Sequence, residues 1–285
     1  FGQFKAPLMW EELVDAEFQL AADRSVTGET FSQQYSQGLM FGYEAEAWRG
    51  YFAFTDGINS IATNYNDAVE SDYAFTARAE FKFAGDWARF TDFTSWRNSD
   101  YAGKVGIAGH YEQYGETGNG APGGGGRNAL AQATPGEQLL YTVDAAIEGN
   151  GWNAFAAFYG NYTEADNVSN SDFNDFGVVA QAGIFVTDQV ELFGRYDGIF
   201  LDSDRAVDED TFNFATIGAN YYFFPESHAV KGTLDLLISF DETVGTTNPS
   251  LFGLGGVGTA VSPTSFLGQG DDTEFAIRGQ VSVLF

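Results

Sequence analysis

Cysteine is absent from this chain of 285 residues, which removes disulfide scaffolds, thiol catalysis and thiolate zinc sites. Only two histidines are present, which leaves little for an imidazole-based zinc enzyme. Basic residues are scarce: 13 Lys and Arg stand against 40 Asp and Glu, a formal net charge of −27. Such an excess of negative charge repels a phosphate backbone, so nucleic-acid binding is excluded. The chain also lacks any run of about 18 apolar residues, the length a helix needs to cross a bilayer, which excludes a helical membrane protein. What it has instead is glycine and aromatic residues: 35 Gly, 28 Phe, 14 Tyr and 5 Trp. The mean hydropathy of −0.19 would suit a soluble domain, but a barrel hides its apolar residues in alternation and averages the same way.

Residues 273–285 alternate strictly. Phe275, Ile277, Gly279, Val281, Val283 and Phe285 fall on one face, and Glu274, Arg278, Gln280 and Ser282 on the other. Hydrocarbon offers no hydrogen-bond partners, so only helices and closed barrels span it, and a barrel strand needs about 9–11 residues, apolar outward and polar inward. The same code recurs over 39–48, 73–83, 105–114, 139–148, 152–163, 176–185, 190–197, 213–223 and 230–240. In 73–83, for example, Tyr73, Phe75, Ala77, Ala79, Phe81 and Phe83 oppose Thr76, Arg78, Glu80 and Lys82. The segment 51–55 is short and its facing is undecided, because Phe52 and Phe54 share a parity with Asp56. A soluble sandwich strand also alternates, but charges of both signs recurring on the minority face of strand after strand favour the barrel.

Connections alternate in length. Those at 49–50, 149–151, 186–189 and 224–229 are short; those at 57–72, 115–138, 164–174, 198–210 and 241–272 are longer and rich in Gly, Asn, Asp and Ser. Short periplasmic turns and long extracellular loops are the outer-membrane pattern. A last strand running towards the periplasm puts 241–272 outside, and every short turn then falls inside. Residues 84–104 would invert that phase if they held a strand, and are read as a long periplasmic connection. Counting 1–6 as an incomplete first strand, with Phe1 inside it, gives about twelve strands in a single domain, 1–285. The link 7–33 follows, with a helix-like piece over 7–22; a long loop with structure of its own can fold inward and narrow a pore.

Gly2-Gln-Phe-Lys-Ala-Pro7, Glu11-Glu12-Leu13 and Ala22-Asp23-Arg24-Ser25 resemble the corresponding stretch of the phosphate-selective porin O/P family. That resemblance implies a sixteen-stranded trimeric barrel whose third loop folds into the channel. Residue 1 would then lie in the fifth strand, 7–33 would be the constriction loop and four strands would precede this chain. Anion selectivity in that family is associated with Arg and Lys in the lumen, and Lys5 and Arg24 occupy the matching positions. The loop here is nonetheless dominated by Glu11, Glu12, Asp15, Glu17 and Asp23, which puts phosphate selectivity in doubt. On the wall, Arg78, Glu80, Lys82, Arg195, Asp197, Lys231, Asp235, Glu274 and Arg278 take inward positions. Either they oppose the loop acids in a transverse field, or they pair with one another in a water-filled lumen.

The expected function is passive diffusion of ions and small hydrophilic solutes through a homotrimeric, weakly cation-preferring porin in the outer membrane of a Gram-negative-type bacterium, in contact with lipid and lipopolysaccharide. No catalytic residue, cofactor or metal is expected. Rival readings are a structural or adhesive surface barrel with acidic loops, an anion or phosphate channel as in the resembled family, and a soluble all-β domain. Gly253-Leu-Gly-Gly-Val-Gly258 fits a dinucleotide fingerprint but has no helix after it. The acidic stretch 202–210 fails as an EF-hand, with Val207 in place of the glycine and Asn213 in place of the final Glu. Gly123 to Gly126 reads as a flexible loop tip. His110 beside Glu112, and His228 beside Glu226 and Ser227, show no nucleophile elbow.

Overall fold

The computed structural model describes residues 1–57, 71–114, 136–166, 172–205, 210–241 and 273–285. Twelve strands follow in chain order: β1 (Gly2–Lys5), β2 (Tyr35–Glu44), β3 (Trp48–Thr55), β4 (Ser71–Ala84), β5 (Ala102–Tyr114), β6 (Gly136–Gly149), β7 (Trp152–Ala165), β8 (Phe173–Phe185), β9 (Val190–Phe200), β10 (Thr211–Tyr222), β11 (Val230–Ser239) and β12 (Glu274–Val283). All lie in one sheet, each hydrogen-bonded to its sequence neighbours, and every pairing is antiparallel. Among the described residues β1 and β12 do not pair, so the sheet is open between them.

Alternation sets the two faces. On β4 the side chains of Tyr73, Phe75, Phe81 and Phe83 are exposed, while Ala74, Thr76, Arg78 and Glu80 between them are buried. On β12 Phe275, Ile277 and Val281 are each about 70% exposed. In water this convex apolar belt would be an aggregation liability; in a bilayer it is the surface that hydrocarbon covers. Large rings also shield outward glycines across the ladder. A Cβ on Gly160 would lie 2.1 Å from Cζ of Tyr141, its partner in register, so the ring occupies the space that a side chain would fill.

The early hairpin differs from the expected one. Strand β2 ends at Glu44 and Trp48 already belongs to β3, so the turn is at 45–47 and not at 49–50. Ala45 donates its N–H to the Trp48 carbonyl at 2.8 Å, closing the turn. Gly50 suggested a turn, but it pairs with Ala79 inside the ladder, and the true turn, Ala-Glu-Ala, carries no Gly, Pro, Asn or Asp to mark it. The undecided facing of 51–55 resolves with it: Phe52 and Phe54 are exposed on the convex face, and Ala53 and Thr55 are buried. The helix-like piece over 7–22 is reduced to α1 (Trp10–Leu13) and a 3-10 turn at Ala16–Phe18, and a second helix, α2 (Val26–Phe31), follows. Residues 85–101 hold no strand, only a 3-10 turn at Trp87–Phe90 and irregular chain.

The concave face is not simply wet. From the end of the sheet that carries the long connections, 7–33 lies against the wall; from the end that carries the short turns, 85–101 comes in to meet it. Trp10 packs on Phe93 and Phe155 with ring centroids 4.6 and 5.2 Å away, and its indole N–H donates to the Phe90 carbonyl at 3.2 Å. Leu8, Met9, Val14, Leu20, Val26 and Phe31 join this cluster with Tyr159, Val179, Phe193 and Ile199 of the wall. The sheet thus has an apolar core inside its curve as well as an apolar belt outside it.

Candidate functional site

Segment 7–33 is irregular for most of its length, so its backbone polar groups need partners from elsewhere. The wall supplies them. Arg78 of β4 donates to the Leu8 carbonyl at 2.8 Å, and Arg195 of β9 donates to the carbonyls of Asp23 and Arg24 at 3.0 and 3.1 Å. Lys231 of β11 donates to the carbonyls of Glu17 and Gln19, both at 2.7 Å, and Asn220 of β10 to that of Leu20 at 3.0 Å. Asp235 accepts the Ala22 N–H at 2.8 Å, and Gln280 of β12 donates to the Ala22 carbonyl at 3.1 Å. The transverse field, one of the two alternatives left open, is not what these bases make: they hold the segment by its backbone, and of them Arg195 alone lies within 4.0 Å of a carboxylate of the segment, that of Glu11.

Glu11 shows the same economy inside the segment. It is fully buried and accepts both the N–H and the hydroxyl of Ser25 at 2.7 Å, while Ser25 caps α2 by accepting the Gly28 N–H, also at 2.7 Å. The nearest cation is Arg195, 4.0 Å away. Glu11 therefore positions α2 and does not line a passage, contrary to the expectation from sequence. Helix α2 then rests on β8 and β9, with Thr27 donating its hydroxyl to the Gly198 carbonyl at 3.2 Å.

The remaining wall charges pair among themselves. Glu80 is bound by Arg78 at 2.8 Å, by Lys104 at 2.5 Å and by Arg49, and Arg78 also meets Asp144 at 2.8 Å. Lys104 sits 3.9 Å above the Trp10 ring. Asp235 takes a two-point contact from Arg278 at 2.7 and 2.9 Å, and Arg195 Nε lies 3.3 Å from Asp197. Lys82 donates to the Gly85 carbonyl at 2.7 Å, and Glu274 is half-buried at the opposite end of the sheet. Sequence reasoning missed Lys104, Arg49 and Asp144 as members of this network. Lys104 fell in the stretch read as a connection and Arg49 in the misplaced turn; Asp144 was visible on the minority face of its strand.

Between 7–33 and the first two strands a cleft of about 420 Å³ opens, lined by Lys5 of β1, Tyr35 of β2 and, from the segment between them, Glu12, Asp15, Ala16, Glu17, Arg24, Glu29 and Gln34. It gathers five of the expected constriction acids and bases, Lys5, Glu12, Asp15, Glu17 and Arg24, and adds Glu29, an acidic residue of the same link that was not counted with the constriction. Asp23 is not among the lining residues; its carboxylate accepts the Arg24 N–H at 2.9 Å. Lys5 is bound to Asp15 at 3.0 Å. Arg24 spreads one guanidinium over the carbonyl of Val14 at 3.1 Å, the Glu12 carboxylate at 3.6 Å and Glu29 at 3.8 Å. Burial pushes the Glu29 carboxyl up to about 7, helped by the neighbouring carboxylates of Glu12 and Asp23 and opposed by Arg24. Burial also raises Glu12, against the pull of Arg24.

His110 is buried in the wall with Thr76 Oγ1 2.8 Å from Nδ1 and Glu112 3.2 Å from Nε2, partners that its own strand showed only in part because Thr76 comes from β4. His228 packs edge-on against Tyr222 and Phe18 and lies 3.5 Å from Asp92. The glycine motif at 253–258, the glycine run at 123–126 and residues 206–209 of the acidic stretch lie outside the described residues.

No family model matches the chain, and no curated protein matches it, so the resemblance to the porin O/P family has no support at that level. Solved structures do match. The outer membrane channel DcaP of Acinetobacter baumannii is similar with a TM-score of 0.51 at 12% identity, over 84% of this chain and 64% of that one. A loop L8 deletion mutant of OmpT, an outer membrane protein of Vibrio cholerae, is similar with a TM-score of 0.52 at 11% identity, over 87% of this chain and 70% of that one. The chain therefore spans about two thirds of the length of these barrels. It carries the all-β, antiparallel fold of outer-membrane β-barrels.

Proposed function

We propose that the chain forms the larger part of a homotrimeric porin through which ions and small hydrophilic solutes diffuse passively, with a weak preference for cations. One observation supports this reading: 7–33 is held along the concave wall from β4 to β12 and, with Lys5 of β1 and Tyr35 of β2, lines a charged cleft. Lipid cannot satisfy the free edges that β1 and β12 show among the described residues, and this reading takes the barrel to be closed between them. In this reading the passage runs past the cleft.

The test is a reversal potential in a planar bilayer under a KCl gradient, with the full-length protein. A potential of the sign set by potassium is expected, and clear anion selectivity would refute the preference. A second reading, a structural or adhesive barrel that does not conduct, draws support from the apolar cluster of Trp10, Phe90, Phe93 and Phe155 inside the curve. Folded protein that shows no conductance would establish it.

A further inference from the structure

We propose that His228 and Asp92 form a proton-operated clasp at the end of the sheet that carries the short turns: a protonated imidazole ties 85–101 to the turn after β10, and a neutral one lets it go. His228 sits where three pieces of chain meet. Its ring lies 5.0 Å from that of Phe18 of 7–33, 5.2 Å from Trp96 of 85–101 and 5.5 Å from Tyr222 at the end of β10. The same joint is closed by Phe93, whose N–H donates to the Phe18 carbonyl at 3.4 Å, and by the Thr94 hydroxyl, 3.1 Å from that of Tyr222.

Packing accounts for the ring but not for its nitrogens. Among the described residues neither Nδ1 nor Nε2 of His228 has a hydrogen-bond partner, although both are buried. A buried polar atom left without a partner is costly. One group nearby can relieve it: Asp92 spends Oδ1 on the Thr94 N–H at 2.7 Å and leaves Oδ2 3.5 Å from His228 Nε2. A neutral imidazole offers that oxygen a lone pair or an uncharged N–H, whereas an imidazolium offers a charged donor, so the contact becomes an ion pair only when a proton binds. The two side chains are 12% and 21% exposed, open enough for the proton to come from water.

The other charges at the joint are engaged elsewhere. Lys231 of β11 gives its ammonium to the carbonyls of Glu17 and Gln19, Arg89 of 85–101 is bound to Glu148 of β6 at 2.7 Å, and Glu191 of β9 takes the Tyr222 hydroxyl at 2.7 Å. Glu17, next to Phe18, and Glu226, two residues before His228, complete the charged set. Among the described residues Asp92 alone brings a carboxylate within 4.0 Å of the ring nitrogens. Acid therefore tightens the joint and alkali loosens it, because the pair exists below the titration of an imidazole and is lost above it.

The clasp is tested on the full-length protein in detergent, whether or not it conducts, by hydrogen exchange at the amides of Phe93, Thr94 and Ser99, read as protection relative to free peptide at the same pH. Protection should be roughly fivefold higher at about pH 5 than at about pH 8, with the change centred near 6.5, roughly, where imidazoles titrate. His228→Gln and Asp92→Asn should each hold the high-pH level throughout, and Glu29→Gln should keep the wild-type response. Should His228→Gln fail to fold, Asp92→Asn, at the more exposed partner, decides alone. Wild-type protection that does not change with pH, or a change that survives in either variant of the pair, overturns the clasp.

Discussion

Truncating Trp10 to Ala should undock 7–33 while leaving the sheet assembled. The ring is 3% exposed, packs on Phe93 and Phe155, carries Lys104 Nζ 3.9 Å above it and donates to the Phe90 carbonyl. Removing a buried Trp side chain costs about 3–5 kcal/mol, which includes the cavity left behind. The orphaned Phe90 carbonyl and the lost cation–π contact each belong to the 1 kcal/mol class, roughly, and overlap with that figure. A net loss of about 4 kcal/mol shifts a docking equilibrium by roughly a thousandfold. None of it falls on the strand ladders, because Trp10 belongs to no strand. Limited proteolysis in detergent should therefore cut within 7–33 in Trp10→Ala but not in wild type, and single-channel conductance should rise or become noisy. Trp10→Phe, which keeps a ring and loses the N–H donor, should lie between the two, at about 1–2 kcal/mol. Equal protease resistance of wild type and Trp10→Ala would refute the idea that this cluster pins the segment.

Glu11→Gln should loosen α2 without unfolding the barrel: the amide can accept from only one of the two Ser25 donors, at a cost of about 1–3 kcal/mol, read as faster amide exchange over 26–31. Gly177→Leu should displace the same helix, since a Cβ there would lie 2.5 Å from Thr27 Cγ2 and 2.8 Å from the Phe31 ring; amide exchange again reads it, and unchanged protection over α2 would count against the packing argument. Glu29 adds a pH dependence of known sign. Its carboxyl is raised in the folded protein from 4.5 to about 7, so the proton stabilises the docked segment below the unfolded value, and that contribution is lost as pH rises through about 7. Protection of 7–33 should accordingly fall between about pH 4.5 and 7.5 in wild type and stay level in Glu29→Gln.

Much of the wall was legible because a strand repeats every two residues and one face must be apolar. The alternation at 73–83 and 273–285 carried both the facing and the membrane class. It failed at Trp48 and Gly50, where the hairpin turn has no turn residues and a ladder glycine imitates one. Segment 7–33 was legible as a long structured link, but its contacts were not. Leu8, Met9 and Trp10 make sense only beside Phe93 and Phe155, which stand some 80 to 150 residues further on and obey no local period. Residues 85–101 showed the same limit: read correctly as lacking a strand, they gave no sign that Phe90 and Phe93 turn into the lumen. Glu11 and Glu12, adjacent and chemically alike, separate into a buried strut and a cleft residue because α1 sends them to different surroundings.

That separation bears on what charge counting can say about a channel. A formal charge of −27 describes the chain, yet the charges deep in the wall are arranged to cancel or to hold backbone. Arg78, Lys104 and Arg49 converge on Glu80, and Lys231 and Arg195 are spent on carbonyls of the segment they anchor. Burial forces this, because an uncompensated charge in a dry interior costs several kcal/mol, roughly, whereas at the edge of water the cost is small. Among the described residues, charge is left to water where that packing stops, as on the part of 7–33 that lines the cleft.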